Sequence, residues 1–361
     1  MVSTTNCKLK NFKYVIYALI VLTSFAFNKD AKCFAQQLDI RNLVFEGAGV
    51  KGIAYAGVVY ELEERGVMSG IEKVGGTSAG AITALMLSLG YTAAELEEII
   101  SNTELNEFND GEYMFIGGIH RVNKRYGWYQ RDTFEAWLDQ IVSSKTGDKN
   151  ITFSELHDAG FLDLYTTGTC LNKQKLLVFS NETYPDMRII DAVLISMSIP
   201  FYFEAMFIDE FGKVYSENSS SIPLDIVVDG GIIGNFPIFL FDDSTIDDSG
   251  NSIRTPNPST LGIRMDSSDQ VDSQVCSQNN SQSIDLVPLD IRSFEDFVKA
   301  FYVFTIENLN RTQLVSSDWD RTVSVSSVGI GPKIRMLSES EKLMLIDSGK
   351  LGVSCYFERR L

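Results

Sequence analysis

From residue 42 onward the chain alternates apolar and polar segments in a strand-and-helix rhythm. Asn42–Glu46 (NLVFE) is a short apolar run ending in glycines, the pattern of a buried strand. Gly52–Arg65 follows with apolar residues at Ile53, Ala56, Val59, Tyr60 and Leu62. That spacing suits an amphipathic helix, and Gly66 supplies a stop. A second strand is predicted over Glu72–Gly75, and Ala81–Leu89 reads as a buried helix. Thr92–Ser101, Arg131–Val142 and Asp191–Ser198 are further helices, the last stopped by Pro200. Leu162–Thr169 and Lys175–Ser180 read as strands joined through Asn172-Lys173, and Asp225–Val228 and Leu261–Met265 as two more. Phe294–Leu314 and Ser338–Asp347 are amphipathic helices. Asn102–Tyr129, rich in Gly, Asn and aromatic residues, reads as an ordered loop or lid, and Ser267–Asp285 as a polar loop. Such alternation predicts an α/β layer architecture. No repeat or linker divides it, so residues 40–361 are expected to form one domain.

The first 35 residues do not belong to that rhythm. Lys8, Lys10 and Lys13 form a basic start, and Tyr14–Phe27 is an uncharged, mostly apolar run. Cys33-Phe34-Ala35 then offers a cleavage site before Gln36. This reads as a secretory signal peptide, since a spanning helix needs roughly 20 apolar residues. The alternative is an uncleaved N-terminal anchor. Either way the chain is expected to be exported or held at a membrane.

Composition adds limits. Hydrophobic residues make up 44% and charged residues 22%, as in globular proteins. A formal charge of −17 does not favour nucleic acid or electrostatic adsorption to anionic lipid, so any membrane contact must be local and apolar. Cys7, Cys33, Cys170, Cys276 and Cys355 are scattered, with no CxxC pair, and read as small buried or surface thiols rather than metal ligands. Neither a metal nor a cofactor is expected.

Three glycine-rich motifs carry the candidate chemistry. Gly76-Thr77-Ser78-Ala79-Gly80 is a GxSxG turn between an apolar strand and an apolar helix. It thrusts the Ser78 Oγ toward solvent near a helix N-terminus, where developing negative charge is favoured. Taken alone, it is equally a Gly-rich turn with a capping serine. A serine nucleophile needs a base, and the two histidines, His120 and His157, both precede the later strands. A Ser–Asp/Glu–His order is therefore poorly supported. Asp229 ends the apolar run Ile226-Val227-Val228 and precedes Gly230-Gly231, so its carboxylate can lie near a second strand-end turn at the same edge of a parallel sheet. An Asp in an ordinary tight turn is the competing description.

The third motif, Gly47-Ala48-Gly49-Val50-Lys51-Gly52, sits between strand and helix, where backbone N–H groups can hold an oxyanion. Lys51 either adds charge there or faces solvent. A dinucleotide fingerprint would want an acidic residue at the end of the second strand. Glu72 begins that strand, which instead ends in the serine turn. A Walker loop fails because no Gly-Lys-Ser/Thr follows.

Taken together, GxGxxG, GxSxG and a later DGG, in that order and without histidine, resemble the patatin-like phospholipases. Phe45–Glu61 (FEGAGVKGIAYAGVVYE), Val178–Pro200 (VFSNETYPDMRIIDAVLISMSIP) and Val228–Pro237 (VDGGIIGNFP) are similar to bacterial members. The resemblance covers roughly residues 42–265, with a C-terminal helical portion over 290–361. It implies a three-layer α/β/α fold with a mostly parallel sheet. It also implies a Ser78–Asp229 dyad, an oxyanion hole around Gly49 and Val50, and a lipid acyl ester as substrate. Ala48 departs from the glycine common at that position, but its N–H is retained. Phe201, Tyr202 and Phe203 are candidates for an acyl channel or for ordinary core. A patatin fold that binds lipid or a partner with little turnover is the alternative reading.

Overall fold

A computed structural model of the chain describes residues 39–103, 124–218, 221–246, 252–268, 314–331 and 336–360, with scattered positions from 250 to 304. The leader, residues 104–123 of the expected lid, His120, and most of the polar loop and of the helix expected over 294–314 lie outside them.

Strand β1 (Asn42–Phe45) is buried at all four positions, as a strand covered on both faces must be. A tight 3-10 turn, Gly49–Ile53, leads into helix α1 (Ala54–Glu64). Strand β2 (Lys73–Gly76) is followed at once by α2 (Ala79–Ser88). Helix α3 (Ala93–Asn102) begins at Thr92, whose hydroxyl accepts the Glu95 N–H while the Glu95 carboxylate accepts the Thr92 N–H. Then come β3 (Gly127–Tyr129), α4 (Asp132–Thr146), α5 (Phe153–Asp158), the β4–β5 hairpin (Asp163–Cys170 and Lys175–Phe179) and α6 (Ile189–Ser196). Three short strands follow, β6 (Phe201–Phe203), β7 (Met206–Ile208) and β8 (Val214–Tyr215), and then β9 (Asp225–Asp229). The chain continues through an exposed hairpin, β10 (Asp243–Ile246) and β11 (Ser252–Thr255), to β12 (Thr260–Asp266), β13 (Thr322–Ser326) and helix α7 (Glu339–Glu358).

Hydrogen bonding links β13, β12, β1, β2, β4, β9, β7 and β8, with β5 also paired to β4. The first five run parallel; β9, β7 and β8 are joined by antiparallel pairings. The result is a mixed, mostly parallel sheet with helices packed against it.

The register around β4 decides where the site lies. Thr166 pairs with Gly76 of β2 and with Phe179 of β5. Cys170 pairs with Lys175 of β5 and with Val227 of β9. A strand has two edges, so β5 occupies one and β2 and β9 share the other. They approach from opposite directions: β2 stops opposite Thr166 and β9 stops opposite Gly168. The Asp229 turn is therefore not a second loop at the end of a parallel sheet, as the sequence suggested. It ends an antiparallel strand whose tip meets the tip of β2.

Helix α7 also departs from expectation, running on past Asp347 to Glu358. In the fold Gly349 lets α7 cross α1 closely, since a methyl group there would fall 2.1 Å from the Ala54 carbonyl oxygen. Nor are the cysteines all simple thiols. Cys170 is free and buried, whereas Cys355 is disulfide-bonded.

Candidate active site

The serine turn is built by close approach. A methyl group on Gly76 would fall 2.4 Å from the Gly80 carbonyl, and one on Gly80 would fall 2.3 Å from the Phe45 carbonyl oxygen. Between them Ser78 adopts φ +54°, ψ −123°, a conformation L-residues avoid, which costs of order 1–3 kcal/mol. The surroundings hold it there. Thr77 donates its N–H to Phe45 O (3.2 Å) and its hydroxyl to Gly234 O (2.8 Å), while accepting from Thr167 Oγ1 (2.6 Å). The Ser78 N–H donates to Ser196 Oγ at 2.9 Å. Ala79 starts α2, and its Cβ lies where a side chain at Gly52 would collide (2.9 Å). The Ser78 side chain is nearly covered, and its Oγ donates to the Met197 thioether at 3.5 Å.

Asp229 reaches the same place from the other strand. Its own N–H donates to Ser198 O (2.9 Å), and its Oδ1 accepts the Gly231 N–H (2.7 Å). Gly230 is packed so tightly on Thr167 that a methyl group would fall 2.2 Å from its hydroxyl. Burial pushes the Asp229 carboxyl up to about 7, and hydrogen bonds from the Gly231 amide and the Ser78 hydroxyl pull the other way. A carboxyl so placed can accept a proton near neutral pH.

The Gly47–Gly52 loop divides its amides. Gly47 N–H is used by Asn235 O (2.9 Å) and Lys51 N–H by Ala48 O (3.2 Å), while Gly52 lies within the 3-10 turn. Ala48, Gly49 and Val50 have no hydrogen-bond acceptor among the described residues. They stand at the start of a turn, where free N–H groups gather and attract negative charge. Asn235 fixes the loop's entry, because its Nδ2 donates to Gly47 O (3.0 Å) and to Glu46 Oε1 (3.2 Å). Glu46 is in turn tied to β12 by accepting the Met265 N–H at 2.7 Å.

The structure thus brings Ser78, Asp229 and the Gly loop together inside the sheet, where the tips of β2 and β9 meet alongside β4. His157 is elsewhere. It pairs with Asp163 (2.7 Å), and Asp163 aligns with Lys73 at the opposite end of β2 from Ser78. Sequence reasoning did not single out Ser196, Met197, Ser198 and Asn235. The only signal was their place inside the stretches similar to the family. Among the described residues no group of three or more His, Cys, Asp or Glu is placed to hold a metal ion, and no helix is long and apolar enough to cross a membrane.

A fold of this kind carrying a strained serine, a buried carboxyl and an amide-lined glycine loop defines a class of protein. Residues 43–242 match the patatin-like phospholipase family, and the chain belongs to it. Among relatives, YqhO of Bacillus subtilis (strain 168) is 34% identical over 206 residues, covering 55% of this chain and 65% of YqhO. The cGAMP-activated phospholipase of Vibrio cholerae is 25% identical over 215 residues, covering 56% of each chain. The chain spans less than two thirds of the length of these curated relatives. Of solved structures, VipD from Legionella pneumophila superposes with a TM-score of 0.52 at 13% identity, over 89% of this chain and 67% of VipD, a likeness of fold.

Proposed function

We propose that this chain hydrolyses fatty-acyl esters of lipids with Ser78 as nucleophile and Asp229 as its base. The observation that carries the reading is the meeting of β2 and β9 along one edge of β4, which sets a strained serine against a buried carboxyl. Family membership and a relative named as a phospholipase support the lipid substrate.

In this reading Asp229 takes the Ser78 hydroxyl proton as Oγ attacks the ester carbonyl carbon. The carbonyl oxygen becomes an oxyanion and accepts hydrogen bonds from the Gly49 and Val50 amides, the largest expected contribution to rate. The tetrahedral intermediate collapses to an acyl-serine ester, and Asp229 returns the proton to the departing alkoxide. Water then gives a proton to Asp229 and attacks the acyl carbon; collapse releases the fatty acid and restores the Ser78 hydroxyl. Fatty acid release from mixed phospholipid vesicles tests this. The parent chain should release fatty acid, while Ser78→Ala and Asp229→Ala, folded as the parent, should not. Equal release by Ser78→Ala would overturn the assignment.

We further place the protein outside the cytosol or at a membrane facing that side. The leader pattern in residues 1–35 and the disulfide at Cys355 both suit an exported chain. N-terminal sequencing of the protein from its own cells checks this: a start near Gln36 is expected for a cleaved leader, and a membrane-bound intact chain for an anchor. A soluble cytosolic protein beginning at Met1 would exclude both.

A further inference from the structure

We propose that Met197 is the gate through which the acyl chain reaches Ser78, and that its side-chain shape sets which chains are accepted. The inference rests on the hydrolase reading above and deepens it.

Met197 Sδ lies 3.5 Å from Ser78 Oγ and accepts its hydroxyl proton. Ser78 is 6% exposed, whereas Met197 is partly open to solvent. An ester carbonyl carbon must come within about 3–3.5 Å of Oγ to react, so the thioether occupies ground that the substrate needs. The backbone beneath it is pinned on both sides. Ser196 Oγ holds the Ser78 N–H, and Ser198 O holds the Asp229 N–H. The Met197 N–H itself donates to Val193 O at 3.0 Å, capping α6. What can move is the side chain, which has three rotatable bonds and a sulfur that is only a weak acceptor. Turning it away costs one weak hydrogen bond and leaves the Ser78 hydroxyl to its other partner, the Asp229 carboxyl.

The chain that follows Met197 is apolar and aromatic, Ile199-Pro200-Phe201-Tyr202-Phe203. Phe201, four residues on, is 82% exposed and held at φ +67°. The Tyr202 ring lies tilted against Tyr129 (ring centroids 4.8 Å) and edge-on to Phe203 (4.9 Å). An aliphatic chain leaving the Ser78 ester past Met197 would follow this aromatic ribbon to the surface. An unbranched, flexible gate suits a straight alkyl chain and resists branching next to the carbonyl.

The test uses the full chain and its Met197→Ala, Met197→Ile and Met197→Leu variants. It reads kcat/KM for nitrophenyl esters of straight and α-branched acids, with labelling of Ser78 by a small fluorophosphonate in parallel. Met197→Ala should raise the branched-to-straight ratio about tenfold or more, the effect of opening a hydrophobic pocket by a few atoms. β-Branched Met197→Ile should lower long-chain turnover while small-probe labelling persists, and Met197→Leu should keep the parent ratio. Ratios equal to the parent in both Ala and Ile variants, with Ser78 still labelled, would overturn this inference alone. No labelling of Ser78 in the parent would overturn the hydrolase reading and this inference with it.

Discussion

The two turns proposed to meet in the active site are made in opposite ways. The Ser78 turn is local. Five consecutive residues specify it, two glycines admit the close contacts, and one residue carries the backbone strain. The Asp229 turn is unremarkable in its own dihedrals and owes its position to long-range pairing of β9 with β4. In the proposed dyad the serine owes its conformation to local geometry, and the carboxyl owes its raised proton affinity to burial supplied by distant segments. Damage to the first should abolish chemistry at its source, whereas damage to the second should show first as altered proton affinity.

Removing the reacting groups should give the largest effects. Ser78→Ala and Asp229→Ala should each reduce kcat on the order of 10⁴-fold or more, and the double variant should be no worse than either, because groups acting as a unit are not additive. A double-mutant cycle on a soluble ester checks this, and additive losses would separate the two turns functionally.

Next is a stability effect confined to the base. Burial raises the Asp229 pKa from 3.8 to about 7 in the folded chain. Between those values the folded state keeps a proton the unfolded state has lost, so stability falls as pH climbs through that window and levels off above it. Asp229→Asn removes the penalty, which amounts to about 4 kcal/mol at full ionisation. Its Tm should exceed the parent's at pH 8.5, with a smaller gap at pH 5. A gap independent of pH would contradict the buried-carboxyl account.

The serine turn should fail by packing instead. Gly80→Ala places a methyl group against the Phe45 backbone and should cost about 3 kcal/mol at any pH. Ser196→Ala, smaller still, leaves the Ser78 amide without its acceptor and should cost about 1 kcal/mol in urea unfolding.

The same contrast explains what was legible in the sequence. Strands and helices from Asn42 to Asn102 were readable because each is a short apolar run or an amphipathic repeat bounded by glycine or a capping residue, and Ser78 and the glycine loop are contiguous motifs. The direction of β9 was not readable, because Asp225–Asp229 has the same composition whichever way it pairs. β7 and β8, of three and two residues, are too short to carry a pattern of their own. The spent amides of Gly47 and Lys51 depend on Asn235 and Ala48 carbonyls, and a motif records no hydrogen bonds. Ser196 and Met197 are common residue types in an apolar helix end, and only the fold places them beside Ser78.

The central claim, that a buried Asp229 activates Ser78, is tested most directly by the pH dependence of kcat/KM for a soluble acyl ester. The account predicts a rate that climbs with pH, bends near 7 as the carboxyl ionises, and stays level above it. A rate flat from pH 5 to 9, or a bend near the ordinary carboxylate value, would contradict it.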